Sequence, residues 1–260
     1  MKLHTFAICA YKDSPYLEAC IRSLKGQTVS TDIILCTSTP SDYIDKLAEK
    51  YRIPVFVRDG ASNIRDDWEF AYHKAETNLV TVAHQDDMYQ KNYVKELLAS
   101  YERYPDMSLF TSGYVVVKEQ ELKAFEKVEF IKRFLRLPLR IKRLSHLKMV
   151  KRSALMFGNS ICCPACTYNK GLLGEPIFTS PYQFALDWDT LFQLAVRPGR
   201  FICVEKPLLY YRVHEEATTK ACIEDNSRAR EEAAMFRKMW PEPIVEFLMY
   251  FYRKAYKEYE

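Results

Sequence analysis

At 260 residues the chain can form one large α/β domain or two small ones, and 48% hydrophobic residues with mixed charges exclude a disordered or fibrous protein. The net charge of +4 makes no demand for a nucleic-acid partner. No apolar run approaches the roughly 20 residues that span a bilayer, and the apolar part of MKLHTFAICAYKDS is too short for a signal peptide. The expected location is therefore the cytoplasm or the inner face of a membrane.

In chain order, LHTFAICA reads as a strand. Ser14 is placed to cap a helix with Pro15 at its first position, after which Leu17, Ile21 and Leu24 share one face. DIILCT is a second strand, followed by Ser41 as a cap and a stripe of Ile44, Leu47 and Ala48. IPVFV is a third, and a helix through Trp68, Ala71, Tyr72 and Ala75 leads to LVTVA. A helix from about Tyr93 to Tyr104 precedes SLFTSGYVVV. This alternation predicts a mainly parallel α/β sheet with helices on both faces. Ligands of such sheets gather beyond the carboxyl ends of the strands, where loops begin at Tyr11, Thr37, Asp59 and His84.

The apolar run VTVA ends in HQDDMY, which puts Asp86 and Asp87 on that rim. Two carboxylates there suit a hard divalent cation that bridges to a phosphate; the other reading has them solvated or capping the next helix. With only seven glycines the chain has neither G-x-G-x-x-G nor G-x-x-x-x-G-K-[ST], which removes dinucleotide and P-loop readings. The eight cysteines include Cys9, Cys36 and Cys203 inside apolar runs, where thiols pack as small hydrophobes, as in a reducing compartment. The C-x-x-C at Cys163 and Cys166 lacks the second ligand pair of a zinc site, so packing is expected there.

From Phe130 the chain interleaves Phe134, Leu135 and Leu137 with Lys132, Arg133, Arg136, Arg140, Lys142 and Arg143, broken by Pro138. Residues 130–152 thus read either as a basic amphipathic segment on an anionic membrane or as a helical subdomain over the core. After Trp240-Pro241, IVEFLMYFYRKAYKEYE is a second aromatic and basic helix, suited to packing, a homodimer contact or a membrane.

Three blocks carry a resemblance to the family 2 glycosyltransferases: FAICAYKDSPYLEACIRSLKGQT, HQDDMY, and ALDWDTLFQLAVRPGRFICVEKPLLYYRVHEEATT. They occur in the family's order and cover roughly 3–118 and 155–220. The resemblance implies a GT-A fold, a nucleotide-sugar donor, inversion at the anomeric carbon, and Mn2+ or Mg2+ as cofactor. Asp86 matches the metal-ligating last acid of the family's Asp-x-Asp, while His84 stands where its first acid belongs. Tyr11 matches a residue that holds the base. Cys36, Thr37 and Ser38 replace the usual Asp-Asp-x-Ser, which weakens the preference for UDP over GDP or dTDP. Gln85, Arg65 and Arg212 match positions near the donor, and His214 a position that completes the metal shell or meets the diphosphate. Asp187 matches the base, with Leu186 in place of the preceding Glu. Asp187 and Asp189, two apart on a helix, point to nearly opposite sides, so at most one faces a cleft; a helix-dipole role is the other reading of either acid.

The expected organisation is a nucleotide-sugar half (1–118), a basic helical insertion (119–153), an acceptor and catalytic half (154–222) with Asn159 and Tyr168 as acceptor contacts, and C-terminal helices (223–260). The expected partners are the donor and a saccharide or lipid-linked acceptor, in surface-polysaccharide assembly. Two other readings stay open, a catalytically silent nucleotide-binding relative and a basic protein that binds membranes or nucleic acid.

Overall fold

β1 (His4–Ala10) lies at the centre of a parallel layer and divides its side chains between two cores. Phe6, Ile8 and Ala10 pack with Leu17, Cys20, Ile21 and Leu24 of α1 (Leu17–Lys25), while Ala7 packs with Trp68, Ala71 and Tyr72 of α3 (Ile64–Lys74). The period of two in the strand and the stripe on each helix make this the predicted two-faced arrangement. Each fully buried Leu or Ile contributes about 1.5–3 kcal/mol. The computed structural model describes residues 2–118, 121–123, 127–213 and 227–256.

The first half follows the expected alternation. β2 (Asp32–Thr37), α2 (Asp42–Tyr51), β3 (Val55–Val57) and β4 (Leu79–His84) complete the parallel layer, with β2 and β4 on either side of β1. Ser41 caps α2 as predicted, accepting from the Ile44 N–H at 3.3 Å. The regular helix α1 starts only at Leu17, and Ser14 caps the turn that leads into it: its hydroxyl accepts from the Tyr16 N–H at 3.3 Å while donating to Asp86 at 3.1 Å.

Beyond β4 the sheet turns mixed. β5 (Met88–Tyr89), α4 (Tyr93–Arg103), β6 (Met107–Lys118), β8 (Thr167–Asn169) and β9 (Arg200–Val213) extend it in the order β3-β2-β1-β4-β8-β6-β9-β5, and β7 (Glu121–Lys123) pairs with β6. β8 runs antiparallel between β4 and β6, β9 is parallel to β6, and β5 antiparallel to β9. The basic segment forms α5 (Lys127–Leu135), α6 (Leu137–Arg140) and α7 (Lys148–Ser153), the break falling at Arg136, just before Pro138. After α8 (Lys170–Leu173) come α9 (Leu186–Leu194), α10 (Ser227–Arg237) and α11 (Glu242–Tyr256), which close the α3 face of the sheet.

The seven cysteines among the described residues are free thiols, buried or half-buried. Burial pushes the Cys163 and Cys166 thiols up, which suits packing rather than redox or zinc chemistry. No helix among the described residues is long and apolar enough to cross a membrane.

Candidate active site

Cys9 of β1 pairs with His84 of β4, so the chain leaves both strands at the same level. The Gln85 amide closes this junction: its Oε1 accepts from the Tyr11 N–H at 2.9 Å and its Nε2 donates to the Tyr11 carbonyl at 3.0 Å. Gln85, expected at the donor, is thereby committed to the backbone. The Tyr11 ring is left 47% exposed beneath Lys12 Nζ, 5.0 Å from its centre. At the end of β2 the buried Thr37 hydroxyl accepts from the Thr39 N–H at 3.0 Å, so it too is used within the loop. The Ser38 hydroxyl is buried with no hydrogen-bond partner. Of the two expected hydroxyls, Ser38 is the one left with capacity for a ligand.

The two neighbouring acids part company. Asp87 is 2% exposed and accepts from the Arg212 N–H of β9 at 2.8 Å; burial pushes its carboxyl well above the usual range, against the pull of that bond. Asp86 stays half-buried at the rim, bonded to Ser14, and its carbonyl accepts from Arg212 Nε at 3.0 Å. The Arg212 guanidinium also lies 4.4 Å from the centre of the Tyr16 ring. Expected near phosphates, Arg212 here fastens the acidic turn to β9 and to the start of α1. His84 stacks on Trp68, ring centres 4.9 Å apart, with Nε2 buried and unpartnered. Burial lowers its pKa to about 4, partly opposed by Asp86, so the ring is neutral near pH 7.

Arg65 pairs within its own helix: it is exposed in the first turn of α3 and binds Asp66 at 2.8 Å, one position off the buried stripe. Arg58, which the sequence reading missed, follows β3 directly and is spent within its own loop and the start of α3. Arg58 Nε binds Asp67 at 2.8 Å, and its Nη atoms reach the carbonyls of Asp59 and Ala61.

The second half contributes Asp187. Glu231 of α10 accepts from the N–H groups of Gln183, Phe184 and Ala185 at 3.1, 2.8 and 2.9 Å, fixing the chain just before α9. Asp187 then takes the Trp188 N–H on Oδ1 and Asn159 Nδ2 on Oδ2, both at 2.7 Å. Burial pushes its pKa up to about 6, while the Trp188 N–H, the Lys132 ammonium and Asn159 hold it back. Asp189 points the other way, as its spacing predicts, and is buried against Lys238 at 2.6 Å and Gln193 at 3.0 Å. Asn159, expected as an acceptor contact, instead orients Asp187. Tyr168 is too deep for contact, 1% exposed and edge-on to Tyr72 and Phe178. His214 lies outside the described residues.

No group of three or more His, Cys, Asp or Glu among the described residues forms a metal cage. In the turn after β4 the accessible carboxylate is Asp86, which fits an oxygen-seeking cation that takes its other ligands from phosphates and water.

A mixed sheet, parallel in its first half and flanked by helices, with an acid at the rim of β4 and a second acid heading α9, has the architecture of a GT-A glycosyltransferase. The chain belongs to glycosyl transferase family 2, whose pattern matches residues 5–165, and so to enzymes that transfer sugars. Its fold is similar to that of S. aureus TarS 1–349 in complex with UDP-GlcNAc, at 15% identity and a TM-score of 0.64, covering 96% of this chain and 70% of that one. It is similar also to mannosyltransferase PcManGT from Pyrobaculum calidifontis in complex with GDP-Man and Mn2+ (13%, TM-score 0.61, 95% and 68% covered). Glucosyl-3-phosphoglycerate synthase from Mycobacterium tuberculosis, in complex with Mn2+, UDP and glucosyl-3-phosphoglycerate, shares the fold at 12% identity (TM-score 0.58, 92% and 80% covered). No curated protein matches the chain by sequence.

Proposed function

We propose that the protein moves a sugar from a nucleoside-diphosphate sugar, a UDP-sugar in the first instance, to a hydroxyl of a saccharide or lipid-linked acceptor with inversion. The observation that carries this reading is Asp187: a carboxyl with a pKa of about 6, held by two donors at the head of a helix. Such a group is ionised near neutral pH and still basic enough to accept a proton.

In this reading Asp187 takes the acceptor proton as the acceptor oxygen attacks the anomeric carbon and the bond to the diphosphate breaks. Asn159 and the Trp188 N–H keep the carboxylate aimed. Tyr11 and Ser38 receive the base and ribose. Asp86, with His214, would hold Mn2+ or Mg2+, which when bound neutralises charge on the departing diphosphate. The donor half is then 1–118, the acceptor and catalytic half 154–222, with 119–153 as an insertion, 223–260 as closing helices, and a cytoplasmic site of action.

The neutral His84 in place of an acid favours a second reading, a relative that binds nucleotide without transfer. Calorimetric titration of UDP with Mn2+ present, followed by a screen of UDP-sugars for UDP release, separates the two. Mn2+-dependent binding lost in Asp86→Ala, with UDP release lost in Asp187→Asn, is the expected result. Binding without release under any donor supports the silent relative. No binding of UDP, GDP or dTDP overturns both readings.

A further inference from the structure

α5 has two unlike faces. Its inner face is tied to the protein: Glu129 accepts from the Tyr114 hydroxyl, the buried Arg136 that follows the helix donates to the Ser160 carbonyl at 2.5 Å, and the Lys132 charge is felt at Asp187. Its outer face carries Phe130, Ile131 and Phe134, which are 69%, 57% and 64% exposed. Beyond α6, hydrogen bonds from the Leu144 N–H to the Ile141 carbonyl and from the Leu147 N–H to the Leu144 carbonyl make successive three-residue turns. That spacing stacks Ile141, Leu144 and Leu147 on one side, and all three are exposed.

Charge accompanies this apolar surface. Residues 127–152 hold ten Lys or Arg, of which Arg136 and Lys151 are buried and Arg133 and Arg140 pair with Glu205, and one acid, Glu129, leaving 28 basic and 33 acidic residues in the rest of the chain. The positive net charge of the protein is therefore this segment's alone, set on an otherwise acidic molecule. Exposed aromatic and aliphatic side chains among cations match the interface of an anionic bilayer. A second copy of the chain, meeting the same face symmetrically, would bring like charges together.

We propose that the outer face of α5 and of the turns after α6 docks on an anionic lipid bilayer, and that the acceptor is lipid-linked. The docking stands on the surface itself; the acceptor class rests on the transferase reading above.

The test is co-sedimentation of the full chain with vesicles of phosphatidylcholine alone and of phosphatidylcholine mixed with phosphatidylglycerol. Binding only to the anionic vesicles, weakening as salt rises, is expected. Phe130→Ser with Phe134→Ser, and separately Lys142→Glu, Arg143→Glu and Lys148→Glu together, are each expected to weaken it by at least about tenfold, with the melting temperature and UDP binding unchanged. Equal binding to both vesicle types, no binding to either, or variants that bind like the parent overturns the docking. So does a phenylalanine variant that turns a dimer into a monomer when the parent ignores vesicles. Vesicle binding by a protein that binds no nucleotide leaves the docking standing and removes the transferase reading with the acceptor class.

Discussion

Asp187 and Asn159 are joined by a 2.7 Å hydrogen bond from the amide Nδ2 to the carboxylate Oδ2, and this bond opposes the burial that raises the Asp187 pKa to about 6. With Asp187 as base, transfer rises as pH climbs through about 6 and levels off above it, because only the ionised form accepts a proton. Asn159→Ala removes a donor to the charged form, so the pKa moves further up and the acidic limb shifts to higher pH. A profile of kcat against pH checks this, and a limb that stays in place would show that Asn159 does not tune the base. Asp187→Asn is expected to lower kcat by about two to four orders of magnitude, with donor affinity retained.

Asp86 and Asp87 are expected to separate function from stability. Asp87 is buried with its pKa raised, so its stabilising contribution is full below the unfolded carboxyl pKa and is lost as pH rises through the folded value. Asp87→Asn keeps an acceptor for the Arg212 N–H and removes the cost that burial places on the ionised carboxyl, so the melting temperature holds or rises as pH climbs. Asp87→Ala leaves that N–H unmet, at a cost of about 1–3 kcal/mol. Asp86→Asn changes stability little and removes Mn2+-dependent UDP binding. Thermal melts beside calorimetry with the three variants decide the matter; loss of UDP binding in Asp87→Asn as severe as in Asp86→Asn would contradict the assignment.

What the sequence made legible follows the range of the interaction. β1 to β4 and their helices were readable because each stripe or alternation is local and meets one sheet face. Ser14 as a turn cap was legible, whereas the second use of its hydroxyl, on Asp86 72 positions away in sequence, was not. β5 and β8, two and three residues long, carry too little pattern to be seen and exist through their neighbours in the sheet. At the site, Asp86 and Asp187 stood out by motif. Glu231 and the true partner of Asn159 did not, since each acts on residues that only folding brings close. Arg65, in the first turn of α3, spends its guanidinium on its sequence neighbour Asp66.

Glu231 gives the third prediction. One carboxylate takes three backbone N–H groups ahead of α9, so Glu231→Ala leaves them without that partner at about 1–3 kcal/mol for each that stays buried. Glu231→Gln keeps one acceptor oxygen and is expected to lose less. Because these bonds place Asp187, kcat is expected to fall in both variants while KM for the donor stays near that of the parent. Melting temperatures and steady-state kinetics on the pair test it; a lower melting temperature with kcat unchanged would make Glu231 purely structural.

His84→Asp tests whether the departure at the first acid matters. The native ring is neutral, stacked on Trp68 and within the field of Asp86. A carboxylate there is desolvated, loses the stacking and faces a like charge, all of which destabilise the fold without metal. A divalent cation held at Asp86 reverses the electrostatic part, since two acids then share one positive centre. The variant is therefore expected to melt lower than the parent in chelator and to recover more than the parent does when Mn2+ and UDP are added together. Melting curves in both conditions provide the measurement. Equal recovery in the two proteins would place the metal away from position 84 and leave the histidine as a packing partner of Trp68.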